Sequence, residues 1–77
     1  MIIEEIDSMS VEELIGRAIR QEEAGLQFYE KAYHAAGNEA AHAFEELAND
    51  TLARIRKLQR LRAEIADMRL IAGAMAD

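Results

Sequence analysis

The chain has no cysteine, no proline and no tryptophan among its 77 residues. Without cysteine it can build neither a disulfide framework nor a thiolate metal site, so nothing covalent supplements its packing, and a reducing compartment suits it. A single small domain of this size lies near the lower limit at which one core suffices. Without proline, nothing forces a helix to stop. Long apolar runs are also missing. The longest is "LIAGAMA", Leu70 to Ala76, far short of the roughly 20 residues a membrane span needs. The acidic start "MIIEEIDSMS" has neither the basic flank nor the apolar centre of a signal peptide. No glycine-rich phosphate loop and no nucleophile–base pair is visible. The expectation is a cytoplasmic protein without a membrane partner.

What is present is helix-forming: Ala, Leu, Glu, Arg and Ile dominate. The formal net charge of −6 disfavours nucleic acid as a partner. Residues 1 to 50 hold twelve acids and three bases, whereas residues 51 to 77 hold six bases and three acids. The basic run "RIRKLQRLR" suggests an anion or RNA patch, but its isoleucine and leucines keep core spacing. Opposite charges on two solvated faces favour antiparallel packing instead.

The spacing predicts two helices. In "SVEE", Ser10 can cap the amide of Glu13 and Glu13 can reach back to the amide of Ser10, with Met9 and Leu14 placed as a hydrophobic staple. Helix 1 is expected over 10–36, and Gly25 inside it suggests a close helix approach. At "AAGNEA", Gly37 is expected in the left-handed C-cap conformation and Asn38 as the next N-cap. Helix 2 is expected over 39–72. So short a link makes the helices antiparallel neighbours. Residues 1–9 form an arm with Ile2, Ile3 and Ile6, and residues 73–77 form a tail. The whole is one all-α hairpin domain, 1–77.

The apolar stripes are too broad for that hairpin to cover by itself. Helix 2 reads Leu47, Thr51, Arg54, Leu58, Leu61, Ile65, Met68, Ala72, Met75, with Phe44, Ala48, Leu52 and Ile55 beside it. Helix 1 reads Ile15, Ala18, Glu22, Gly25, Tyr29, Ala32, with Ile19, Leu26 and Tyr33 alongside. Each helix covers only part of the other's face. Homodimerisation into a four-helix bundle is the simplest remedy, with a higher homo-oligomer or a protein partner on the apolar C-terminal tail as further options.

Three polar residues interrupt these stripes: Glu22, Thr51 and Arg54. Glu22 lies sixteen residues before Asn38 and Arg54 sixteen after, so a hairpin centred there sets them level. They can then form a charge-assisted pair with Thr51 one turn away. His34 and His42 are also equidistant from Asn38 and can be level near the turn. They are read as ordinary exposed histidines rather than ligands. Tyr29 and Tyr33 fit core aromatics, and Met68 and Met75 adaptable packing.

"AIRQEEAGLQFYEKA" followed by "FEELANDTLARIRKL" resembles the two-helix half of the rubrerythrin and ferritin-like superfamily, over about Leu14 to Leu58. The likeness rests on Glu22 with Tyr29 seven residues later, and on "FEELA". It implies a ferritin-like four-helix bundle in which Glu22 is an iron ligand. The family's Glu-x-x-His falls on Thr51 and Arg54, and neither suits a di-iron centre, which needs bridging carboxylates and a histidine on each iron. The expectation is a degenerate site without a metal cofactor, in which Arg54 supplies the charge the metal once did. The alternative is an iron-binding half-ferritin with an unorthodox site drawn from Glu23, Glu45, Glu46, Asp50, His34 and His42. The chain is thus expected to be a non-catalytic structural or interaction module. If it is an enzyme, a di-iron ferroxidase or peroxidase is the class the resemblance implies.

Overall fold

The computed structural model describes residues 8–75 of the chain as two helices: α1, Val11–Ala35, and α2, Asn38–Met75. They form an antiparallel hairpin, and no strand occurs among the described residues. The isoleucines of the N-terminal arm and the last two residues lie outside the described residues.

α1 begins where Ser10, in an extended conformation (φ −70°, ψ 163°), lets its Oγ accept from the Glu13 amide at 3.2 Å. The Ser10 carbonyl accepts the first helical bond, from the Leu14 amide at 3.0 Å. Glu12 and Glu13 occupy the first turn, where carboxylates meet the positive end of the helix dipole.

The link corrects one expectation. Gly37 is not left-handed, since no glycine among the described residues has a positive φ. α1 ends instead through Ala36, extended at φ −84° and ψ 158°, whose amide donates to the Ala32 carbonyl at 2.9 Å. Gly37 then takes the N-cap place expected for Asn38. Its carbonyl accepts from the Ala41 amide at 2.8 Å, and Asn38 is the first residue of α2. Two linking residues supply one C-cap and one N-cap, and no residue is left over for a left-handed C′ position. α2 also runs past the expected end at 72, through Gly73 to Met75. A glycine flanked by alanines costs this helix about 1 kcal/mol without breaking it.

The core is small. Ile15, Ile19 and Ile55 are buried, and Leu26, Leu58 and Ile65 pack against them. The hairpin measures 61 × 27 × 11 Å, and its thin dimension is one helix diameter. Residues expected on the inward stripe therefore have nothing above them: Leu47 is 41%, Leu61 43% and Met68 60% exposed. Tyr33, expected in the core, is also exposed. Gly25 marks no close approach within the hairpin, because a Cβ added there would meet only the Tyr29 ring of its own helix, at 3.9 Å. Among the described residues no helix is long and apolar enough to cross a membrane.

Candidate functional site: a polar cluster on the apolar face

Thr51 is the most deeply buried polar residue of the hairpin, at 0% exposure, pressed between the helices beside Ile55. A hydroxyl there must be satisfied. It donates to the Leu47 carbonyl one turn back, at 2.8 Å, and accepts from Arg54 Nη2 at 3.0 Å. Both bonds follow from helical spacing, since residues three and four apart share a face. Arg54 is thereby held with its Nε free to cross to α1, where it donates to Glu22 Oε2 at 3.1 Å. The result is a relay of carboxylate, guanidinium, hydroxyl and backbone carbonyl. Its contact across the helices is a single hydrogen bond, not a bidentate fork.

The cluster sits on one broad side of the hairpin, in a hollow of about 390 Å³ lined by Ala18, Glu22, Arg54, Lys57, Leu58 and Leu61. In the single hairpin the Glu22 side chain is 29% and the Arg54 side chain 52% exposed. Water therefore screens the pair, and the desolvation cost of a fully buried one does not apply.

The histidines have separate partners. His42 Nε2 lies 3.3 Å from Glu46 Oε1 in its own helix, both groups being well exposed. His34 packs edge-on against Tyr33, ring centroids 5.3 Å apart. It lines a hollow of about 220 Å³ with Glu30, Tyr33, Glu45, Ala48 and Asn49. Among the described residues of one chain, no three histidine, aspartate or glutamate side chains converge to hold a metal ion. Glu23, Glu45, Glu46, Asp50, His34 and His42 are thus not gathered into one cluster. The positions where the family resemblance calls for a second glutamate and a histidine carry a buried hydroxyl, already bonded, and a fixed cation. These residues do not fit a di-iron centre.

One contact escaped the sequence reading. Arg69 Nε lies 3.0 Å from Glu12 Oε1, an ionic contact without an aligned hydrogen bond, and ties the far half of α2 to the start of α1. By the register of the Glu22–Arg54 pair, the α2 residue level with Glu12 is Glu64. Arg69 starts further along and leans back, because side chains on a helix tilt toward its N-terminus. Equal spacing from the turn does not reveal such a contact.

No family model, no curated protein and no solved structure matches this chain.

Proposed function

We propose that the chain is a non-catalytic helical module that self-associates, two hairpins packing face to face into a four-helix bundle. One observation carries this reading. A hairpin one helix thick exposes Leu47, Leu61 and Met68 along α2, at heptad spacing with Arg54, and Leu61 and Arg54 line the same hollow. Large apolar side chains on a stripe of that spacing are the seam of a helical bundle. Read with the ferritin-like resemblance, Glu22 is a ligand retained, and Thr51 and Arg54 replace ligands lost. The guanidinium then balances the carboxylate where a cation once did.

Particle mass and iron content of the same preparation test this. Protein produced with ample iron and washed with chelator is expected at twice the 8.6 kDa of one chain, without stoichiometric iron. A monomer overturns the bundle. Iron retained at about one ion per chain overturns the lost site and turns the reading to an iron-binding half-ferritin, its ligands shared across the oligomer. Thr51→Glu combined with Arg54→His is expected to create iron affinity, and no gain counts against the ferritin-like alignment.

A further inference from the structure

The hairpin carries a second charged hollow, which the bundle reading leaves unused. It has a volume of about 370 Å³ and is lined by Glu12, Glu13, Gly16, Arg17, Arg20 and Arg62, together with Met9. It shares no residue with the Glu22–Arg54 hollow. Gly16 of one and Ala18 of the other are two residues apart, so they face opposite sides of α1. A second copy packed on the apolar face leaves this hollow open to solvent.

Gly16 is buried, and what lies over it is guanidinium. Arg20 Nη1 comes within 3.7 Å, and Arg62 Nη1 within 4.0 Å, of the place a Cβ on Gly16 would take. Arg20 reaches it because side chains on a helix lean toward the N-terminus. Arg62, level with Leu14 by the hairpin register, leans the same way along α2 and so meets α1 at Gly16. Two like charges thus converge over one backbone position, with Arg17 lining the same hollow. Among the described residues none of the three has a hydrogen-bond or ion-pair partner, whereas Arg54 and Arg69 are both paired. Of the two carboxylates in the hollow, Glu12 is already engaged by Arg69 at 3.0 Å. That leaves three guanidinium charges against the single carboxylate of Glu13. The first turn of α1 adds the positive end of the helix dipole.

We propose that this hollow binds a phosphate dianion, free or as the phosphate group of a small monoester. Guanidinium forks match phosphate oxygens, and the ligand relieves the repulsion between the cations that hold it. A dianion cancels the excess of positive charge, whereas chloride or one carboxylate cancels half of it. The volume lies in the range of small-molecule sites, so there is room for the group to which an esterified phosphate is attached. The proposal does not depend on self-association.

Titration of the full chain with inorganic phosphate and with glycerol 1-phosphate, followed by NMR, tests it. At about pH 7.5 both ligands are mainly dianions. The Gly16 amide and the Nε–H signals of Arg17, Arg20 and Arg62 are expected to shift together and saturate, with a Kd below about 1 mM. Tighter binding of the ester assigns the site to monoesters, and equal binding assigns it to phosphate alone. The same shifts in potassium chloride of matched ionic strength overturn the site, as do shifts centred on Arg56 and Arg60 instead. Arg20→Gln and Arg62→Gln change exposed side chains, so the fold is spared. Each is expected to weaken binding about tenfold. Glu13→Gln keeps a side chain suited to the capping box and is expected to tighten binding about threefold, because the one opposing charge is gone. Binding unchanged in both arginine variants overturns the proposal.

Discussion

Arg54 is where the chemistry of single residues decides most. Its guanidinium serves Glu22 and Thr51 at once, so truncation strands a carboxylate and removes a partner from a wholly buried hydroxyl. Were the pair buried, breaking it would cost about 3–5 kcal/mol. With the Arg54 side chain half exposed, water solvates the stranded carboxylate, and Thr51 keeps its bond to Leu47. Arg54→Ala is therefore expected to cost about 1–2 kcal/mol if the hairpin stands alone and about 3–5 kcal/mol if the proposed bundle covers the pair, read by urea denaturation. A loss near zero would show that the contact does no structural work. Removing both charges, with Glu22→Gln and Arg54→Met, is expected to be tolerated. The contact was legible in the sequence because a two-residue link fixes the register, which made equal spacing from Asn38 informative. How deep the pair lies was not legible, because a stripe on a helical wheel does not say whether another layer covers it.

The ends of the helices were read less well than their bodies. Ser10 caps α1 through the Glu13 amide, the half of the expected capping box that is local and involves one side chain. At the link, two rules competed for the same residues: glycine after a helix and asparagine before one. Gly37 could satisfy only one of them, and Ala36, which carries no cap signal, took the C-cap. This has a consequence of opposite sign in the two readings. A left-handed Gly37 would lose stability on substitution by serine, because Cβ is disfavoured at positive φ. Gly37 has no positive φ, and a Cβ there meets nothing within 4 Å. Gly37→Ser is thus expected to stabilise by about 0.5 kcal/mol, through a side-chain cap and a less flexible unfolded chain. Thermal or urea unfolding measures it, and a clear loss would restore the left-handed C-cap.

At the scale of the whole molecule, the hairpin has too much surface for its mass. Its 6090 Å² compares with about 4,700 Å² expected for a compact 8.6 kDa monomer, and its radius of gyration of 17.2 Å with about 11.5 Å for 77 residues. The excess, on the order of 1,400 Å² per chain, is the size of a substantial interface. Breadth of the stripes made the need for cover legible from the sequence. The cover itself was not, because a stripe states what must be buried and leaves open what buries it. Among the described residues a core of three isoleucines gives one hairpin little independent stability, so in the proposed dimer folding and association should form a single transition. The melting temperature should then rise with chain concentration, by about 4 °C per tenfold, the quotient of 1.4 kcal/mol and the unfolding entropy of two chains. Circular dichroism melts over a hundredfold range of concentration would show it. A concentration-independent midpoint with full helicity would mean that the thin hairpin stands alone and that its apolar face is not a seam between copies.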